Sequence, residues 1–355
     1  GADHQGGGFF ESLDMEGEAV SAPRRARVQA RQSYVYCVAG QLGWSGPWQE
    51  AARHGLAYLR SNYRRDDGGF ATLVSREGKI SDETVFAYDQ AFALLAMASV
   101  YKSVPNQSDL QTEALALLKY LDRTRRNDFG GYAEPVVQRF QSNPHMHLLE
   151  ASLSWCVIDP SQAAWRNLAD EMAKLCLEKF IDARGDYVRE FFDDNWLPSA
   201  SSGKVVEPGH QFEWAWLLKS WGSVRGHDFG DAAARRLFDI GTSCVDSRRE
   251  VAVDEVSDDL TIARATARLW PQTERLKAAL TFADASPVQE REKFLEQAIK
   301  AAKTLCRYLE TPLPGLWRDK MLPDGSFVDE PAPASSLYHI ISCIGRLRQT
   351  CDLLR

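Results

Sequence analysis

A chain of 355 residues, 44% hydrophobic and 26% charged, has the balance of an ordinary globular protein and room for one large domain or two smaller ones. Its net charge of −7 excludes a nucleic-acid footprint, which needs a basic face; the short run Arg24, Arg25, Arg27 reads as a solvated helix face. No stretch of about 18 apolar residues exists, so no membrane span is expected. The N-terminus, GADHQGGGFF, lacks the apolar core of a signal peptide. Seven cysteines form no CxxC pair and read as reduced core thiols of a cytoplasmic protein. Ten tryptophans suit a sugar-lined pocket and a large helical core equally.

Along the chain, short Gly-aromatic turns recur at Gly7-Gly8-Phe9, Gly68-Gly69-Phe70, Gly130-Gly131-Tyr132, Gly185-Asp186-Tyr187 and Gly325-Ser326-Phe327. The first three gaps are 61, 62 and 55 residues; the last, 140, is two periods with one turn unmarked, and a hairpin-like stretch near Arg249–Val256 fills it. Six units of this kind are the mark of a repeat architecture. Between the turns, apolar residues recur at three and four. This spacing predicts helices at 21–40, 47–63, 83–103, 107–124, 145–157, 160–180, 209–223, 228–245, 260–283, 289–309 and 335–353. Ser45-Gly46-Pro47, Asp82 and Asp159-Pro160 stand where caps belong. Alternating runs are short, such as Tyr187–Phe191.

Six antiparallel helix pairs make an all-α (α/α)6 barrel, with short β-hairpins at one end. No low-complexity boundary interrupts it, so 1–355 is expected to be a single domain. Eleven helices fall one short of a closed ring of pairs, and a first helix ahead of residue 1 is expected.

Three stretches carry candidate chemistry. The Trp-rich helix Glu207–Trp221 opens on Pro208-Gly209 and holds His210 and Glu213 in its first turn, three apart and so on one face. Asn143-Pro-His-Met-His-Leu-Leu-Glu150 repeats the spacing with His147 and Glu150. Ser335-Ser-Leu-Tyr-His339 begins the last helix. A carboxylate beside an imidazole fixes its tautomer and tunes it for acid/base work. A lone histidine on an apolar helix is more often structural, and the repetition of His-x-x-Glu weighs against that reading. Arg31 lies on an apolar-lined helix and holds either an anionic oxygen or a structural ion pair. Trp270 and Glu274 share a helix face, where a ring stacks on a pyranose and a carboxylate holds hydroxyls, or where both simply pack. Tyr88, Asp89 and Gln90 form a polar trio inside an apolar helix, a support shell. His145 and His147 point to different helix faces, and no HExxH, CxxC, Walker loop or GxSxG accompanies them. No metal and no cofactor is expected.

Taken together, Val28-Gln-Ala-Arg31, Ala87-Tyr-Asp-Gln-Ala-Phe92, Asn143–Glu150, Glu207-Pro-Gly-His-Gln-Phe-Glu-Trp214, Arg268-Leu-Trp270 with Glu274, and Tyr338-His339 resemble the N-acylglucosamine 2-epimerase superfamily over nearly the whole chain. That superfamily includes mannose isomerases and cellobiose 2-epimerases. The resemblance implies an (α/α)6 barrel and proton transfer at C2 of a free reducing sugar through a cis-enediolate, without metal or redox cofactor. It implies His210 and His339 as acid/base residues, Arg31 on sugar oxygens, and His147, Glu150 and Glu213 as support. An aldose–ketose isomerase on a mannose-type sugar is the expectation. An N-acylglucosamine or cellobiose 2-epimerase is the alternative, the latter with Trp317 as a platform for a second ring. A barrel hydrolase or lyase needs two carboxylates on one glycosidic bond, and a non-catalytic sugar binder has no use for paired histidines. The expected partner is a small sugar, with no nucleic acid and no membrane, and the oligomeric state stays open.

Overall fold

The computed structural model describes residues 1–355, and eleven α-helices make up most of it. They are α1 (Ala26–Gln41), α2 (Trp48–Asn62), α3 (Ala87–Ser103), α4 (Asp109–Thr124), α5 (Ser142–Ile158), α6 (Ala163–Leu175), α7 (Pro208–Arg225), α8 (Asp231–Ser243), α9 (Leu269–Ala285), α10 (Val288–Leu309) and α11 (Ala334–Leu353). The even-numbered helices carry one apolar stripe and bury only that face. The odd-numbered ones are buried nearly all round; α3, for example, hides both its alanine and its leucine faces. A helix apolar on every side must be enclosed, and that sorts the chain into two layers. Each odd helix packs on the next, and α11 returns to α1, closing an inner ring of six. The outer layer pairs α2 with α1, α4 with α3, α6 with α5, α8 with α7 and α10 with α9. α11 has no outer partner within residues 1–355.

All five Gly-aromatic turns are antiparallel turns that precede an inner helix, with bridges Ala2–Phe9, Arg64–Phe70, Arg126–Tyr132, Ile181–Val188 and Met321–Phe327. The unmarked sixth is the hairpin pairing Val245–Asp246 with Val251–Ala252, where the repeat count expects it. Aligning the inner helices on their first residues explains the repeat. The fourth residue of five of them is Gln29, Gln90, His145, Gln211 and Gln272. Gln29 Oε1 accepts the Phe9 N–H at 2.7 Å while its Nε2 donates to the Phe9 carbonyl at 3.0 Å. Gln90 holds Phe70, Gln211 holds Val188 and Gln272 holds Ala252 by the same two bonds. His145 accepts from Tyr132 N–H at 2.9 Å and donates from Nδ1 to the Gln141 carbonyl at 2.7 Å. A buried backbone strand with no sheet around it is thereby satisfied. In α11 the position is Leu337, and the clamp is absent.

Several expected boundaries shift. The helix predicted over 21–40 begins at Ala26, because Arg24–Arg25 is a strand paired with Leu73–Val74, and Arg24 is buried there and not on a solvated helix face. The helix predicted over 260–283 begins at Leu269, because Ile262–Arg264 and Ala267–Arg268 are strands paired with Glu255–Val256 and Lys320–Met321. The β-branched residues Thr261, Ile262 and Thr266 favour that. Asp82 does not cap α3; it accepts from Thr84 N–H, and the Glu134 carboxylate takes the Ala87 and Tyr88 N–H groups at 2.7 and 2.9 Å. Elsewhere the first N–H of an inner helix donates to a carbonyl of a neighbouring turn: Ala26 to Thr72, Ser142 to Glu190, Leu269 to Asp319, Ala334 to Glu11. The N-terminal ends of the inner helices are therefore stitched together at one mouth of the barrel.

Candidate active site

The same alignment places the candidate residues in layers. The second residues are Arg27, Tyr88, Asn143, Gly209, Trp270 and Ser335, nearest the mouth. The sixth residues are Arg31, Phe92, His147, Glu213, Glu274 and His339, one helical turn deeper. The ninth are Tyr34, Leu95, Glu150, Trp216, Lys277 and Ser342. The structure thus brings together, in and around one axial space, the three stretches singled out in the sequence.

Two imidazoles lie against one tryptophan. The Trp270 ring centre is 5.0 Å from that of His210 and 5.7 Å from that of His339. Each imidazole is held at Nδ1 by a carboxylate oxygen 2.8 Å away: Glu190 for His210, Glu274 for His339. That bond fixes the ring and leaves Nε2 for a ligand. Glu190 is anchored by the Ser142 hydroxyl at 3.0 Å. Glu274 accepts Trp216 Nε1–H at 2.8 Å and faces Lys277 Nζ at 3.1 Å.

The two rings differ in charge. Burial pulls His210 down, but the carboxylates Glu190, Glu207 and Glu213 outweigh it and raise its pKa to about 9. Burial also pulls His339 down; Glu274 opposes it, Arg31 and Lys277 reinforce it, and the result is about 4. At neutral pH His210 is an imidazolium and His339 a neutral imidazole. Burial lowers His147 to about 4 as well. Its Nδ1 stands 3.5 Å from Glu150 and 3.8 Å from Glu213, too far for a good hydrogen bond with either.

Arg31 Nη2 donates to the Tyr88 hydroxyl at 2.7 Å and Nη1 to the Ser335 carbonyl at 3.3 Å, with the guanidinium 4.0 Å over the Phe92 ring. Several buried polar atoms here lack a protein partner: Arg31 Nε, Asn143 Oδ1, His147 Nδ1, Glu190 Oε1 and Glu213 Oε1. Orphaned buried polar atoms are costly, and five around one axis await a polyhydroxylated ligand or ordered water.

Some expectations need correction. Glu213 does not hold His210; it turns to the axis beside Glu150 and Glu274, whose charges together with burial push its pKa well up. Glu274 is engaged by His339, Trp216 and Lys277, so it orients an imidazole and does not hold hydroxyls. Trp317 is buried in the core and is no platform for a second sugar ring. Asp89 pairs with Arg27 at 3.0 Å and Gln90 clamps a turn, as a support shell would. Glu190 and Lys277 escaped the sequence reading, and Glu207 stood in a quoted motif without a role. Glu190 lies in the alternating run Tyr187–Phe191, whose period of two puts it on the inward side with Val188, and that was the available signal.

Three groups have donors spaced for a cation: His147 with Glu150 and Glu213, Glu190 with Glu207 and His210, and Glu213 with Glu274 and His339. The two Nδ1–carboxylate bonds and the Lys277 ammonium already engage donors in the last two, and we read them as hydrogen-bonded pairs. A cavity of about 580 Å³ lies at the opposite mouth of the barrel, lined by the C-terminal halves of the inner helices. Tyr34, Glu150, Trp216 and Lys277 stand between it and the imidazoles.

This barrel, with its paired imidazoles and carboxylates, belongs to the enzymes that isomerise or epimerise carbohydrates. A family model described as N-acylglucosamine 2-epimerase matches residues 8–343. The chain is 45% identical over 355 residues to a mannose-6-phosphate isomerase of Rhizobium meliloti, covering 98% of this chain and 91% of that one. It is 24% identical over 294 residues to a D-mannose isomerase of Marinomonas mediterranea, covering 77% and 74%. A solved D-mannose isomerase superposes with a TM-score of 0.90 at 21% identity, over 98% of this chain and 93% of that one. The chain belongs to the N-acylglucosamine 2-epimerase family and is an isomerase, either an aldose–ketose isomerase or a carbohydrate 2-epimerase. An unsaturated glucuronyl hydrolase shares the barrel at TM-score 0.69 and 13% identity over 96% of this chain and 91% of that one, so the fold alone does not set the chemistry. No helix is long and apolar enough to cross a membrane.

Proposed function

We propose that the chain interconverts an aldose and a ketose of the mannose–fructose type, with His339 as base and His210 as acid. The observation that carries this reading is the pair of imidazoles of opposite charge against one Trp270 ring. The mannose isomerase names of two relatives support the sugar. His210, as imidazolium, gives its proton to the ring oxygen as the C1–O5 bond breaks and takes up the O1 proton, so the open-chain aldehyde forms and the imidazolium is restored. Neutral His339 takes the C2 proton through Nε2. The electron pair of the C–H bond forms the C1–C2 double bond as the carbonyl π pair moves to O1, giving a cis-enediolate. Arg31 and His210 hold its oxygens. Return of the proton from His339 to C1, as His210 gives its proton to O1 and takes the one on O2, gives the ketose. Asn143 and His147 take hydroxyls, on the strength of their unpartnered atoms; Tyr88 holds Arg31, and Glu150, Glu213 and Glu274 keep the axis ordered. Trp270 lies under the sugar. Residues 1–355 act as one barrel domain, in the cytoplasm, where seven free thiols stay reduced.

The test is incubation in D₂O with mannose, mannose 6-phosphate, N-acetylmannosamine and cellobiose, followed by NMR. Ketose formation with deuterium at C1 from mannose or its 6-phosphate is the expected result. Deuterium at C2 of N-acetylmannosamine or cellobiose, with no ketose, replaces isomerase by epimerase. No exchange with any sugar overturns the reading.

A further inference from the structure

One buried charge in the barrel has no part in the chemistry above. Lys277 is the ninth residue of α9 and is 5% exposed. Its Nζ lies 3.1 and 3.4 Å from the two oxygens of Glu274 and 4.0 Å over the Trp216 ring. Trp216 in turn donates to Glu274 Oε2, and Glu274 Oε1 accepts from His339. A buried ammonium is expensive unless it is paired, and this one is enclosed by carboxylates of three different helices: Glu274 from α9, Glu213 from α7 and Glu150 from α5.

We propose that Lys277 is a positioning residue for the base: clamped with Trp216 onto one edge of Glu274, it keeps that carboxylate ionised and fixed so that the other edge presents His339 to the substrate. The proposal rests on His339 being the base. The groups that face the His339–Glu274 pair are Lys277 on α9, Glu213 on α7, His147 on α5, Arg31 and Tyr34 on α1, and Tyr338 and Cys343 on α11 itself, with Glu150 of α5 on the far side of Lys277. Without the ammonium, Glu274, Glu213 and, one turn deeper, Glu150 are left with only Arg31 and His210 as cations nearby. Glu213 is already driven towards its protonated form, so the excess negative charge falls on Glu274 and Glu150. A protonated Glu274 has lost the charge that holds the imidazole N–H. Burial would raise Glu274, yet the Lys277 charge and the His339 bond drive it well below the ordinary carboxylate range. The same ammonium helps keep His339 neutral. Lys277 also lines the large rear cavity, so its ammonium is reached from the mouth opposite the substrate.

The full-length enzyme carries the test. Lys277→Met keeps the length and apolar stem; Lys277→Ala opens a space that ethylammonium enters from the rear. The expected result for Lys277→Met is a fall in kcat/KM of about 10- to 100-fold, chiefly in kcat, because the loss lies in the base and not in sugar contacts. Its acid limb moves downward from near pH 4, because a protonated Glu274 no longer favours the imidazolium. Ethylammonium restores part of the activity of Lys277→Ala, and tetramethylammonium does not. A folded Lys277→Met with the wild-type acid limb and kcat overturns the proposal. So does failure of both variants to fold with no recovery on ethylammonium, which assigns the lysine to the core alone. These outcomes are distinct from failure of the isomerase reading, in which the wild-type enzyme exchanges no deuterium with any sugar.

Discussion

His210–Glu190 and His339–Glu274 are the same local object: a buried imidazole whose Nδ1 meets a carboxylate at 2.8 Å. One is charged at neutral pH and the other is not. The difference comes from the next ring of neighbours. Around His210 the carboxylates are in surplus, with Glu207 3.9 Å from Nδ1 and Glu213 beyond. Around His339 the carboxylate is shared with Lys277 and Trp216, and Arg31 adds a second cation. A histidine–carboxylate pair therefore makes an acid or a base according to who else holds the carboxylate.

The sharpest way to break the comparison is to remove each ring. His339→Asn is expected to lower kcat/KM by about 10³-fold or more and to abolish deuterium exchange at C2. His210→Asn is expected to cost about 10²–10⁴-fold, with ring opening impaired, so an open-chain substrate analogue regains part of the rate. Next comes Glu190→Gln, which deletes the main charge holding the proton on His210. A drop in kcat/KM of about 10²-fold is expected, with the alkaline limb of the pH profile moving down from near 9. Glu207→Gln does the same more weakly, because its oxygen is 3.9 Å and not 2.8 Å from Nδ1.

The wild-type pH profile sharpens the contrast without mutation. Activity needs His339 neutral and His210 protonated, so kcat/KM is bell-shaped with limbs near 4 and 9. Stability carries the same signature. The raised pKa of His210 contributes stability that is complete below about 6.5, the ordinary imidazole value, and is lost as pH rises through 9. The lowered pKa of His339 costs stability as pH falls below about 6.5, fully so past 4. Urea midpoints measured across that range should fall at both ends. The smallest effect expected is that of Gln272→Ala, which strips both bonds from the Ala252 backbone and lowers unfolding free energy by about 1–3 kcal/mol in urea titration. Its kcat should change less than that of any site variant.

Helices and turns were legible because burial imposes a period, and because glycine at positive φ near an aromatic marks four of the five turns, as at Gly131 with φ 70°; in the other, Asp186 takes the positive φ after Gly185. The histidines were legible because they stand in helices with recognisable neighbours. Glu190 was not, since its partner lies 20 residues away and only the pairing of Phe140–Gln141 with Phe191–Phe192 brings the turn over α7. Helical spacing instead suggested Glu213, which shares a helix with His210 but points to the axis. Lys277 was hidden for the opposite reason: three residues after Glu274 it looks like an ordinary i, i+3 surface pair, and only enclosure by the ring gives it three carboxylates.

The ring closes where Ser12–Leu13 pairs with Ala332–Pro333, joining the segment before α1 to the segment before α11. During synthesis that clasp has no second half until Ala332–Pro333 leaves the ribosome, just before α11. A nascent chain stopped before Ala334 already contains Arg31, His147 and His210, but it lacks His339 and the wall that parts α1 from α9. Catalytic competence in this barrel therefore waits on α11, however many of the other site residues are already in place.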